Sequence, residues 1–237
     1  MEDQMSHDPE QHEQAHEHEQ HAHMGTPAAT SKFTLSFHGI DWQKEVMNAI
    51  EILKLNKTKM HEVAKDEKAT TVGMTFIIVP QILAIIISMI MVGGYVGYAQ
   101  GTYIIQLITP FLFIYALHVI AVKFFQGKGD LIPLFRVISY ASVISILVPV
   151  VLLLGWISWG LMGLMSLVLL VVGVWQLIVA YTILTETHHM TSQNTIITMV
   201  IAIVVVGIIM YLLQRLLFPN PWEEMASKLN DYTRYFR

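Results

Sequence analysis

The chain has 237 residues, of which 54% are hydrophobic and 14% charged, with a formal net charge of -4 and a mean hydropathy of +0.53. Soluble domains carry about a quarter of their residues as charge, so these values exclude a water-soluble globular protein and indicate an integral membrane protein. Cysteine is absent, which excludes disulfides, thiol catalysis, palmitoylation and a prenylated C-terminus.

Residues 1–31 are built from Glu, Gln, His and Ala with almost no large apolar side chain. Such a segment cannot bury enough surface to offset its chain entropy and reads as a disordered tail. It lacks the basic region and apolar core of a signal peptide, so the first membrane helix is expected to serve as the targeting element. Its histidines raise the question of metal. His12 and His16 are four apart and His18 and His21 three apart, with His23 close by, and neutral imidazole is a good ligand for zinc, copper and nickel. A flexible repeat fixes no geometry. The expectation is therefore weak Zn, Ni or Cu binding by the tail and no resident cofactor. A pH-responsive tail is an alternative, because histidines titrate near neutrality.

Residues 32–69 form a lead-in. Phe33, Leu35 and Phe37 alternate as in a short extended stretch, which Gly39 ends. Asp41 is placed to cap a helix in which Trp42, Val46, Ala49, Ile50, Leu53, Met60 and Val63 recur at helical spacing, while Lys44, Glu45, Lys54, Lys57 and Lys65 fall on the other side. The pattern predicts one basic amphipathic helix, lying in the membrane interface or packing under the bundle.

Apolar runs follow at residues 71–92, 103–125, 131–154, 161–184 and 195–218. Each is about 22 to 25 residues, and at about 1.5 Å per residue that exceeds a hydrocarbon core of roughly 30 Å. Five membrane helices are predicted, making residues 70–218 the membrane domain of an all-α polytopic protein and residues 219–237 a juxtamembrane tail. The separators "GGYVGYAQG", "QGKGD", "GWISWG" and "TETHHMTSQN" are short enough to make neighbouring helices antiparallel.

Lysines precede the first helix at Lys44, Lys54, Lys57, Lys59, Lys65 and Lys68, and Lys123, Lys128 and Arg136 cluster around the second connection. The first and third connections carry no charge. The N-terminus is accordingly expected to be cytoplasmic and, with an odd number of helices, the C-terminus outside. Glu186 in the fourth connection and Arg215, Lys228, Arg234 and Arg237 near the C-terminus pull the other way.

The connection "QGKGD" invites comparison with a phosphate loop. A Walker loop needs G-x-x-x-x-G-K-[ST] after a strand, whereas here Asp130 stands where a phosphate would sit. A tight turn explains the residue types: Gly127 and Gly129 supply positive φ around Lys128, and Asp130 caps the next helix. Among intramembrane polar residues, which are costly in lipid, Gln81, Gln106, His118 and Gln176 stand out. His118, one turn after Tyr115, is a candidate proton relay, against the plainer reading of interhelical hydrogen bonding. Pro80, Pro110 and Pro149 read as kinks. Ser139, Ser142 and Ser145 read as small residues that let helices approach. The sequence holds no H-E-x-x-H, no G-x-S-x-G and no facing pair of membrane aspartates, so no enzyme activity is expected.

Two stretches carry a family likeness. "AVKFFQGKGDLIPLFRVISYASVISILVP" runs from a helix end through a Gly-Lys-Gly turn to Arg136, Tyr140 and Ala141, and "GIDWQKEVMNAIEILKLNKTKMHEVAKDEKAT" is an amphipathic lead-in. Together they make the chain resemble the Yip family of Rab-interacting five-helix membrane proteins, over roughly residues 39–218. The resemblance implies a non-enzymatic membrane scaffold or adaptor, with Gly127, Lys128, Gly129, Asp130, Arg136 and Tyr140 as its family turn motif. Eukaryotic members carry an acidic Asp-Leu-Tyr-Gly-Pro element before the first helix, which is absent here, so the resemblance is to a prokaryotic-type member rather than to a Rab binder. In that case the location is the cell membrane. The implied partners are the bilayer and a membrane or cytoplasmic protein, with a homo-oligomer open and no nucleic acid. The alternative is a small transporter or channel, for example for a divalent metal, with the tail histidines as collector and His118 on the path.

Overall fold

Lipid offers no partner for a backbone N–H or C=O, so apolar runs of this length must close their hydrogen bonds within a helix. The computed structural model describes residues 37–92, 96–157 and 162–217, and within them there are helices and no strand. The chain divides into residues 1–31 and 32–237. The first unit, with its metal-binding candidates His12, His16, His18, His21 and His23, lies outside the described residues. So do residues 33–36 of the expected extended stretch and everything from 218 onward.

Five stretches are long and apolar enough to cross a membrane: Ala69–Ile90, Ile104–Phe125, Leu131–Gly155, Ser166–His188 and Ser192–Leu217. The protein is thus an all-α polytopic membrane protein. Ile90, Leu170, Val200 and Leu212 are exposed along these spans, an arrangement suited to hydrocarbon rather than water. Helices α3 (Ala69–Val92), α4 (Val96–Phe125), α7 (Met162–His188) and α8 (Ser192–Leu217) are continuous.

The third span is composite. Helix α5 (Leu131–Ala141) gives way to a 3-10 segment, Ser142–Ile146, before α6 (Leu147–Ile157) resumes. Pro149 supplies the cause: it has no N–H for the carbonyl of Ser145, and its ring crowds that carbonyl, so the α-helical ladder fails in the turn before it. Pro80 and Pro110 lie inside α3 and α4, and neither ends its helix.

The lead-in is two helices, not the single one expected. Helix α1 (Trp42–Leu53) starts at Asp41, whose carboxylate accepts from the Lys44 N–H at 3.2 Å, as its position predicts. It stops at an elbow where Leu55 takes φ 64°. Helix α2 (Lys57–Lys65) restarts at Asn56, whose side chain accepts from the Lys59 N–H at 3.2 Å. Glu51 clamps the elbow by accepting from Lys54 Nζ at 2.8 Å and Asn56 Nδ2 at 3.2 Å. The bond from Lys54 first, then that from Asn56, hold its carboxyl below the usual carboxylate range.

Both helices pack on α5, and α1 also reaches the 3-10 segment. Ala49, Ile52, Met60 and Val63 join one core with Val72, Phe76, Leu117, Leu134, Val137 and Leu184. Helix α4 runs against α8 on the far side of the bundle. The buried face of α1 is Glu45, Ala49 and Ile52, whereas Trp42 and Val46, expected on the apolar face, are exposed. The apolar arc is wider than the contact, so its flank is left uncovered.

Candidate functional site

The end of the bundle that carries α1 and α2, hereafter the base, gathers most of the polar residues the sequence singles out. Tyr140 on α5 is fully buried and donates its hydroxyl to Glu45 Oε2 at 2.7 Å. Phe76 stacks edge-on against its ring, with centroids 5.3 Å apart, and Asn48 donates to the same carboxylate oxygen at 3.0 Å. Buried carboxylates require such donors, and here the one from Tyr140 joins the lead-in to the third span. Helix α1 is tied again where Trp175 Nε1 on α7 donates to the Leu53 carbonyl at 3.2 Å.

One turn earlier on α5, Arg136 is only 2% exposed. Its Nε donates to Thr70 Oγ1 at 2.9 Å and its Nη1 to the Ala64 carbonyl at 3.0 Å, while Nη2 has no partner among the described residues. The guanidinium thus holds the end of α2 and the start of α3 at once, as a planar fork of donors is suited to do. Arg136 lies in the middle of α5, and its side chain turns inward. Ser139 packs so closely on α3 that a Cβ at Gly73 would collide with its side chain, as expected of a small residue between helices.

The turn at residues 126–130 has a different physical basis from the one expected. Positive φ falls on Gln126, at 55°, and on neither Gly127 nor Gly129. Asp130 occupies the N-cap position of α5 without making a side-chain cap bond. The glycines serve close approach instead. A Cβ on Gly129 would meet the Thr187 carbonyl and lie 2.6 Å from His188 Nδ1, and one on Gly127 would lie 3.3 Å from His188 Cβ. The Lys128 N–H donates to the His188 carbonyl at 3.1 Å and the Gly127 N–H to Ala121 at 2.9 Å. The side chains of Lys128 and Asp130 are exposed.

Beneath that turn His118 Nδ1 meets His188 Nε2 at 3.1 Å. The network assigns the tautomers. Thr187 Oγ1 donates to the Ile183 carbonyl at 2.8 Å, so it accepts from His188 Nδ1 at 3.0 Å. With the proton on Nδ1, His188 Nε2 is the acceptor and His118 Nδ1 the donor. Tyr115, one turn before His118, takes no part and is exposed on the bundle's outer surface. Among the described residues no three His, Asp or Glu side chains are grouped to hold a metal ion. At the base, too, Lys57 is paired with Glu186.

Gln106 and Gln176 lie elsewhere, on a cavity of about 440 Å³ bounded by α3, α4, the third span and α7. Gln81, Thr109, Ser142 and Ser145 share its wall, and Gln176 Nε2 donates to Ser145 Oγ at 3.0 Å. His118 does not line it. Among the residues of the base that sequence reasoning missed are Glu45 and His188. For Glu45 a signal was available: it stands in one stripe with Ala49 and Ile52, and a small residue in such a stripe marks close packing.

A buried polar base under five spans, with an amphipathic lead-in folded against it, defines a polytopic helical membrane protein with an anchored N-terminal cap. The sequence profile of the Yip1 domain matches residues 53–213, and the chain belongs to the Yip family. No curated protein and no solved structure matches it.

Proposed function

We propose that the chain is a non-enzymatic scaffold or adaptor that presents α1 and α2 as a fixed docking platform on the cytoplasmic side of the membrane. The observation that carries this reading is the Tyr140–Glu45 hydrogen bond of 2.7 Å, buried at both ends. Buried polar pairs hold one arrangement of the elements they join, and this one fixes how α1 seats on the third span, beside the apolar core and the Trp175 and Arg136 bonds that also hold the lead-in. The platform's outward side carries Lys44, Lys54 and Lys57, all exposed, beside the uncovered Trp42 and Val46. That combination suits an interfacial helix resting on lipid while its polar side meets a protein partner.

On this reading the base is cytoplasmic, because Lys123, Lys128 and the lead-in lysines share that end while Arg215 stands at the end of α8. The pairing of Glu186 with Lys57 supports this reading, since it places the fourth connection beside the lead-in lysines. The turn residues Gly127, Lys128, Gly129 and Asp130 form the platform's edge, with Arg136 and Tyr140 as its anchors. Residues 1–31 are a tail, 32–69 the platform and 70–218 the membrane domain.

Photo-crosslinking residues placed at 54, 65 and 128 test this in native membranes. The expected result is one reproducible partner from these positions, lost when Tyr140→Phe frees α1. A monodisperse protein with no adduct at any of the three positions overturns it.

The transporter reading keeps one observation in its favour, the cavity beside the broken third span. For a divalent metal it lacks a continuous line of ligands, since His118 faces His188 and not the cavity. Metal-dependent flux into proteoliposomes, lost on His118→Ala or on deletion of residues 1–31, would establish it over the adaptor.

A further inference from the structure

The cavity has a polar lining that nothing in the base explains. Its polar side chains are Gln81, Gln106, Gln176, Thr109, Ser142 and Ser145. Gln81 is twelve residues into α3 and Gln176 twelve residues before the end of α7, so each lies about 18 Å along its own helix from the end nearest the 126–130 turn, at about 1.5 Å per residue. That is mid-membrane depth, where polar groups without partners are costly. Gln81 nonetheless has no hydrogen-bond partner among the described residues, Gln106, near the opposite end of its span, has none either, and Gln176 uses only its amide nitrogen, toward Ser145. Thr109 and Ser142 donate to the carbonyls of Ile105 and Ile138, which leaves their oxygens able only to accept. Pro110 adds to this: it withholds the α-helical donor from the carbonyl four residues earlier, at Gln106. One proline and five side chains therefore leave unused hydrogen-bonding capacity around one space.

The chemistry of that capacity selects an occupant. No ionisable side chain lines the cavity among the described residues, so a metal ion, phosphate or amino acid would lose its hydration with no counter-charge in return. Free amide N–H groups and free carbonyls call for a ligand with both ester or ketone oxygens and a hydroxyl. The volume falls within the roughly 300–1,000 Å³ range of small-molecule sites. Gln106 is exposed, so the cavity opens on the bundle's flank, and Phe113, Ile114 and Ile183 supply an apolar wall.

We propose that this cavity binds a bilayer lipid with an uncharged, hydroxyl-bearing head of the diacylglycerol type, its head among the glutamines and an acyl chain along Phe113 and Ile114. The full-length protein in phosphatidylcholine nanodiscs, doped with a diazirine-bearing diacylglycerol, provides the test. Photolysis and peptide mapping are expected to place adducts on residues 104–114 and 138–148. Unlabelled diacylglycerol should displace them, whereas phosphatidic acid and free glycerol should not. Combined Gln106→Leu and Gln176→Leu substitution should cut the displaceable adduct at least fivefold, and Ser145→Val alone at least twofold, with size-exclusion and thermal unfolding profiles kept. Should the double variant fail to fold, Ser145→Val and the competition on the unsubstituted protein decide the matter. Adducts spread over every lipid-facing span and not displaced would overturn the proposal, leaving a water-filled cavity. Displacement by glycerol alone would point to a solute from water, and equal displacement by phosphatidic acid would contradict selection for an uncharged head. Either result overturns it.

Discussion

Tyr140 reaches across 95 residues of sequence to donate its hydroxyl to Glu45 at 2.7 Å, with neither residue more than 8% exposed. Removing the hydroxyl takes away the shorter of the two bonds to a buried carboxylate and leaves it only the Asn48 amide, within α1. Tyr140→Phe should cost about 1–3 kcal/mol, the usual penalty for a buried polar group left short of a partner. Hydrogen exchange by mass spectrometry is the measurement. Protection should fall across residues 42–53 while α8 stays as protected as before. Uniform protection in the variant would show that the bond does not hold the lead-in.

Arg136 separates charge from geometry. Lysine keeps the charge but has one nitrogen, and it cannot serve Thr70 Oγ1 and the Ala64 carbonyl in the fixed directions the guanidinium does. Arg136→Lys should therefore lower stability by about 1–3 kcal/mol, read as a lower midpoint on thermal unfolding in detergent. The midpoint should drop without loss of the assembled fold on size exclusion. A midpoint equal to that of the unsubstituted protein would assign the site to charge alone.

The two turn glycines predict opposite tolerances. At Gly129 a methyl group would press into the Thr187 carbonyl and the His188 ring, whereas at Gly127 its nearest neighbour is the Ala121 carbonyl at 3.2 Å. Backbone and a buried ring yield little, so Gly129→Ala should destabilise by about 1–3 kcal/mol, the range for overpacking. Gly127→Ala should cost less than half as much. Equal costs would mean that conformational freedom, not space, fixes these residues.

The membrane spans were legible because lipid permits one backbone solution for a long apolar run, and Ser192–Leu217 could scarcely be anything else. What escaped the sequence depends on neighbours far along the chain. Glu45 reads as solvated because a carboxylate on an amphipathic helix usually is; its burial is decided by Tyr140. The elbow at Leu55 carries no glycine or proline to announce it, only the capping residue Asn56. The break at Ser142–Ile146 was half visible, since Pro149 was recognised as a kink, but where the helix yields depends on the carbonyl four residues earlier. His188 shows the same limit: in sequence it belongs to a polar connection, yet it is fully buried under the turn. The glycines of that turn were noticed for their flexibility and matter for their size.

The last prediction concerns that histidine and its partner. His118 donates from Nδ1 to His188 Nε2, while His188 is itself oriented by Thr187. Substituting His118 with phenylalanine keeps a ring but strands a buried acceptor, at a cost of about 1–3 kcal/mol. His188→Ala removes both the acceptor and the surface on which Gly129 rests, so it should cost more, about 2–5 kcal/mol as for other large-to-small changes in a packed core. If the two residues form one unit, the double variant should fall short of the sum by about 0.5–3 kcal/mol. Unfolding curves for the four proteins in one detergent give the coupling directly. Simple additivity would reduce their contact to coincidental packing, and the turn would then rest on the His188 ring without help from α4.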